Sequence, residues 1–162
     1  MPRHNSFFSN VNNSWDEYSP LRKKYADAIP LPQNSYFKPI RSIDEMATLA
    51  TRPFEKPVWL GFHTLGFVIK ALLNLAISIV LAPCALALTL VAPNSELCAT
   101  TSSSFKLAAS ETVVATGMAA LAFCSTVLAL VFNPLHVITR VASTVIDSVS
   151  SSLDDCCGLT CR

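Results

Sequence analysis

Apolar residues in this chain gather into long unbroken runs instead of recurring at helical or strand spacing between charges. That pattern separates a helix meant for lipid from an amphipathic element of a water-soluble core. Residues 71–92, ALLNLAISIVLAPCALALTLVA, hold no charged side chain between Lys70 and Glu96. As a helix they would measure about 33 Å, enough to cross a hydrocarbon layer of about 30 Å. A second run starts at Thr112, directly behind Glu111, and continues to Asn133. The pattern predicts two transmembrane helices, 71–92 and 112–133, joined by a polar loop at 93–111.

The flanks read differently. Residues 1–57 mix Asn, Ser, Pro and charges with scattered aromatics, which predicts a polar, largely disordered N-terminal arm. Within it, Ser42-Ile43-Asp44-Glu45 has the form of a capping box and predicts a short helix near 43–51, ended by Pro53 and Pro57. Residues 58–70, VWLGFHTLGFVIK, place Trp59, Phe62 and Phe67 where aromatic rings favour the headgroup boundary, so an interfacial lead-in helix is expected there. Lys70 is expected to snorkel at its end, and Pro83 to bend the first span.

Beyond the second span, Asn133-Pro134 is expected to break the helix. Val137, Val141, Val145, Val149 and Leu153 then recur at every fourth residue, opposite Arg140, Ser143, Asp147 and Ser150. This predicts an amphipathic helix at 134–153 that lies on lipid or docks on a protein partner. A Cys-rich tail, 154–162, follows. The expected fold is thus an all-α membrane protein: a two-helix transmembrane hairpin with a lead-in helix, a C-terminal amphipathic helix and a mobile arm.

Helices in lipid associate through small residues and polar contacts. Asn74, Ser78, Ala82, Ala85 and Thr89 share one face of the first span, and Thr112, Ala115, Ala119, Ala122, Thr126, Ala129 and Asn133 share one face of the second. These seams are expected to pack together, bringing Asn74 to the depth of Asn133. They equally allow pairing between copies, giving a homo-oligomer.

Composition narrows the function more than it identifies it. With 51% apolar and 14% charged residues the chain is no solvating polymer, and a net charge of +1 provides no bulk attraction for nucleic acid. Four dispersed glycines offer no phosphate loop, since Gly61 and Gly66 are followed by Phe67 where a Lys is required. No arrangement of paired acids, metal-ligand spacing or nucleophile elbow occurs, so no enzyme activity, cofactor or metal is expected. Cationic residues Arg41, Arg52, Lys56, Lys70 and Arg140 flank the spans while Lys106 stands alone between them, which predicts both termini in the cytoplasm; a hairpin that enters and leaves the same leaflet would give the same charge pattern. Cys156, Cys157 and Cys161 would then be thiols beside a membrane helix, candidates for S-acylation.

The segment FNPLHVITRVASTVIDSV, residues 132–149, is similar to stretches of uncharacterised hydrophobic-hairpin membrane proteins of intracellular bacterial pathogens. That resemblance implies a small protein of a bacterial inner membrane or, if secreted as an effector, a host membrane. It lends no site residues. The functional expectation is a non-enzymatic anchor that presents cytosolic flanks to a partner or reshapes the bilayer. A small oligomeric pore and a soluble helical protein covered by a partner are the alternatives.

Overall fold

The computed structural model describes residues 6–30 and 36–158. Four helices account for most of them: α1, Phe7–Glu17; α2, Ser19–Asp27; α3, Ile43–Val91; and α4, Glu96–Gly158. No strand occurs among the described residues. Among the described residues the regular structure is all helical, with two long apolar helices.

Several expected boundaries are corrected. The N-terminal arm is helical from Phe7 to Asp27 rather than disordered, because its aromatics are not scattered at random. Phe7, Val11, Trp15, Tyr18, Arg22 and Tyr25 recur at three- and four-residue steps, so they form one face that packing can hold in place of weak local propensity. Residues 1–5 and 31–35 of that arm lie outside the described residues.

The cap at Ser42 forms with one shift from the expected box: Glu45 Oε2 accepts at 3.2 Å from the N–H of Arg41, one residue before the cap, while the Ser42 hydroxyl oxygen accepts from the N–H groups of Asp44 and Glu45. The helix it starts does not stop at residue 51. It runs through Pro53 and Pro57 into the apolar run, merging the short helix, the lead-in segment and the first span into α3. The prolines are four residues apart, so Pro57 lacks the N–H that would have reached the carbonyl of Pro53, and both defects fall on one side of the helix. Burial of Leu49, Pro57 and Leu60 around them supports the continuous geometry.

The loop at 93–111 shrinks to a turn. The Ser95 hydroxyl accepts from the Cys98 N–H at 3.1 Å and α4 begins at Glu96. Its Ser and Thr hydroxyls return to their own helix, with Thr100 donating to the Glu96 carbonyl and Ser110 to that of Leu107. A polar stretch satisfied in this way needs no water to stay helical. Pro134 sits inside α4 without ending it, so the amphipathic segment 134–153 continues the second span, and the helix extends through residue 158 into the expected tail.

The chain divides into two compact units. One comprises Met1–Tyr25 with Leu60–Cys124, and the other Ala26–Trp59 with Ser125–Arg162. In the first, α1 and the start of α2 pack on the hairpin made by the apolar part of α3 and the start of α4. In the second, the first part of α3 and the last part of α4 are joined by residues 36–41, a strap that begins in a turn at 36–37.

Candidate membrane-facing hairpin and its polar clasps

In the first unit Trp15 fixes where α1 lies. A Cβ added at Gly117 would stand 2.9 Å from the Trp15 ring, so only a glycine on α4 admits the indole at this distance. The Arg22 guanidinium covers the Trp15 ring at 4.7 Å, a cation–π arrangement. Tyr18 meets Phe67 edge to face at 5.2 Å, and Tyr25 meets His63 likewise at 5.8 Å. Burial pushes the Tyr25 hydroxyl up to about 12.

Beside these rings sits a charged clasp. Lys70 Nζ lies 2.6 Å from Glu111 Oε2 and donates to the Tyr18 hydroxyl at 2.7 Å, while the Ser14 hydroxyl donates to Glu111 Oε1 at 2.7 Å. Burial works against both charges. It is outweighed for Lys70 by its bonds to Glu111 and Tyr18, which hold the ammonium above its ordinary value. For Glu111 it is outweighed by the bonds from Lys70 and Ser14, which hold the carboxyl below its own.

This pair corrects the expected depths. Two spans at 71–92 and 112–133 would place Lys70 and Glu111 at opposite ends of the hairpin. In the folded unit they touch, so residues 71–91 run beside the polar start of α4, not beside its apolar continuation. Lys70 does not snorkel into open headgroups; it is partnered within the chain.

The small-residue seams divide unevenly. On α4, Ala115, Ala119, Ala122, Ala129 and Asn133 are buried, and Thr112 and Thr126 are half-buried. On α3, Ser78 alone of the five is buried; Asn74, Ala82 and Ala85 are half-covered and Thr89 is exposed. The Ser78 hydroxyl donates to the Asn74 carbonyl within its own helix. The amide of Asn133, expected near Asn74, donates instead to the Ala28 carbonyl at 3.4 Å, and its Oδ1 is buried without a hydrogen-bond partner.

The second unit contains the arrangement that sequence reasoning missed. Arg140, expected on a solvated face, is almost fully buried and holds the strap by its backbone. Its Nε donates to the Lys38 carbonyl at 2.9 Å, and its Nη2 donates to the Pro39 carbonyl at 3.3 Å and to Glu45 Oε1 at 2.6 Å. The Ser143 hydroxyl donates to the Phe37 carbonyl, and the Ile40 N–H donates to Thr144 Oγ1 at 2.8 Å. Four successive strap residues are therefore read through main-chain atoms by one turn of α4. The Tyr36 hydroxyl donates to the Pro30 carbonyl, and its ring meets buried His136 edge to face at 4.9 Å.

Charge in this cluster is tightly committed. Arg140, with the Arg41 N–H, holds the Glu45 carboxyl below its ordinary range. Burial lowers the His136 imidazole, and the Arg52 and Arg140 guanidiniums lower it further. Arg52 also donates to the Asp27 carbonyl at 3.1 Å. The signal for the clasp was present in the sequence as Asn133, His136, Arg140 and Thr144, a polar stripe at steps of three, four and four.

Among the described residues no three His, Cys, Asp or Glu side chains gather into a metal-binding group. Cys84 and Cys124 are exposed free thiols and Cys98 is a buried one. Cys156 and Cys157 fall in the last helical turns of α4, and Cys161 lies outside the described residues. No protein-family model, curated protein or solved structure matches the chain.

Proposed function

We propose that the chain is a non-enzymatic membrane protein, anchored by the apolar surfaces of α3 and α4, that presents its N-terminal helices and C-terminal helix for partner binding or bilayer remodelling. The observation that carries this reading is bareness. In the most apolar window of each helix only 11% of α3 and 28% of α4 is buried within the chain. A core helix in water would hide most of that surface, because each exposed Leu or Val forfeits about 1.5 to 3 kcal/mol of burial. Lipid removes the need for cover, and helices already satisfy their backbone groups inside it.

The contact between Lys70 and Glu111 changes how the anchor enters. With the turn at residues 92–95 leading, residues 71–91 enter beside the polar start of α4, and the apolar run of α4 from residue 112 follows behind the level of the paired charges. An unpaired lysine or acid at mid-bilayer costs about 2.5 to 3.5 kcal/mol on insertion scales; pairing lets this level approach the hydrocarbon with its charge cancelled.

The experiment replaces the six native cysteines and introduces one thiol at a time, Ser6→Cys or Asn94→Cys, in the full chain inserted into sealed vesicles. A spanning hairpin gives labelling of the two positions from opposite sides by an impermeant reagent. A hairpin that re-enters one leaflet leaves position 94 unlabelled from the far side. Quantitative release of the native chain by alkaline carbonate would overturn the membrane reading and favour a soluble protein covered by a partner.

A further inference from the structure

The second unit turns an amphipathic helix inside out. Along α4 from residue 125 to residue 146, Asn133, His136 and Arg140 are buried, and Thr139, Ser143 and Thr144 are half-buried. Arg140 and Ser143 donate to strap carbonyls, Thr144 accepts from the Ile40 N–H, and the hydroxyls of Thr139 and Thr144 donate to carbonyls of α4 itself. Every exposed residue of the same stretch is apolar, among them Leu128, Val131, Leu135, Ile138, Val141 and Val145. At about 100° per residue the exposed positions open a sector about 160° wide, over a length of about 33 Å. Its end is sharp, since Asp147 and Ser148 are exposed directly behind Ile146.

Lipid selects this arrangement and water does not. A helix in water keeps its charges outside, whereas an arginine at membrane level turns inward and is paired, as Arg140 is with Glu45 and two carbonyls. Width points the same way. The seam for one partner helix is a narrow stripe, and this sector takes in nearly half of the circumference. Its margin carries headgroup chemistry: Ser143, one turn before Ile146, holds the Phe37 carbonyl, and both Phe37 and Lys38 are exposed, an aromatic ring and a cation.

The α3 side of the unit decides the posture. Asp44 and Glu55 are exposed and stand about 16 Å apart along the helix axis, with Glu45 between them bound to Arg140. A crossing that brought residues 125–146 into hydrocarbon would carry these carboxylates in with it. A unit lying along the surface leaves both in water.

We propose that the outward face of α4 at residues 125–146 is a lipid-contacting surface that seats the second unit along one leaflet, with the strap and the charged edge of α3 kept among headgroups and water. Such seating rests on the membrane reading of the chain and extends it from the hairpin to the second unit.

The test replaces the native cysteines and places one environment-sensitive fluorophore at Val131→Cys, Ile138→Cys or Val145→Cys, in the full chain in phosphatidylcholine–phosphatidylglycerol vesicles. These positions share one line of the helix and span about 21 Å. Nitroxides on the lipid acyl chains should report the same depth for all three, and aqueous iodide should quench them several-fold less than it quenches Glu55→Cys. Depths that change steadily from 131 to 145 would mean a crossing helix and overturn the seating. Labels shielded from both quenchers, with energy transfer between labelled copies, would mean a second copy on this face and overturn it equally. Leu86→Cys on the bare limb separates the two readings. If it is quenched from lipid while the three positions stay open to iodide, the seating falls and the anchor stands; if it is open to iodide as well, both fall.

Discussion

The apolar half of α3, residues 71–91, and the stretch of α4 from Ala108 to Arg140 are similar in hydropathy and opposite in cover. Along the first, Ser78 is the one buried position. Along the second, Ala108, Ser110, Val114, Ala115, Met118, Ala119, Ala122, Ala129, Asn133, His136 and Arg140 are all buried. Hydropathy alone does not separate these helices; the polar and aromatic residues interleaved with α4 do. They give the N-terminal helices and the strap something to hold, while α3 offers Leu, Ile and Val on every side. The lesson is that α4 supplies the buried spine and residues 71–91 of α3 the bare limb, two stretches that share hydropathy but not cover. Substitutions should therefore disturb folding when they fall on that spine and membrane affinity when they fall on that limb.

The largest effect on folding is expected at Arg140. Arg140→Ala removes charged hydrogen bonds to two strap carbonyls and to Glu45, and should cost about 3 kcal/mol, read as a lowered thermal midpoint in micelles. A truncation to alanine on the bare limb, Leu90→Ala, should leave that midpoint nearly unchanged. Equal losses at both positions would end the distinction between spine and limb.

Next comes Gly117. Gly117→Val gains helix propensity, yet its Cβ must displace the rigid Trp15 ring, and overpacking of this kind costs about 1 to 3 kcal/mol. The variant should shift Trp15 fluorescence towards that of an exposed indole. A more stable variant with unchanged emission would show that α1 does not need this contact.

Much of this was legible in the sequence, and the parts that were not have specific physical reasons. The helical class, the two apolar helices and the cap at Ser42 followed from runs and local motifs, whose energetics are contained in neighbouring residues. The continuity of α3 through Pro53 and Pro57 did not, because local propensity opposes it and distant burial decides. The contact of Lys70 with Glu111 was hidden for another reason: Lys70 was read as snorkelling at the start of the first span and Glu111 as a charge of the polar loop, so the two were assigned to opposite ends of the hairpin. Arg140 was read as solvated because a polar stripe on an amphipathic helix usually is, and only the folded strap reveals a main-chain partner for it.

The clasp of Lys70 with Glu111 sharpens the comparison at a smaller scale. A double-mutant cycle with Lys70→Met and Glu111→Gln should give a coupling of about 1 kcal/mol, since both groups retain some solvent. Its pH dependence follows from the two shifts. Glu111 is lowered, so its contribution is complete above 4.5 and is lost as pH falls through its depressed value. Lys70 is raised, so its contribution is complete below 10.5 and is lost as pH rises through its elevated value. The coupling should consequently be flat between about pH 5 and 10 and decline on both sides. A coupling that varies with pH inside that window would assign it to other groups.

The smallest effect is expected where the sequence pointed most sharply. Asn133 was expected to exchange amide bonds with Asn74 at matching depth. Its Nδ2 reaches only the Ala28 carbonyl at a long 3.4 Å, and its Oδ1 is buried without a hydrogen bond. A weak bond set against an unsatisfied acceptor leaves little net stabilisation. Asn133→Leu, close in volume, should therefore change stability by less than about 0.5 kcal/mol. Asn74 serves its own helix through a carbonyl that accepts from Ser78. Combining Asn133→Leu with Asn74→Leu should give the sum of the single effects, as expected of sites with separate partners. A measured coupling near that of an inter-helix amide pair, about 0.6 kcal/mol, would restore the seam as the organising contact and take that role away from the clasps.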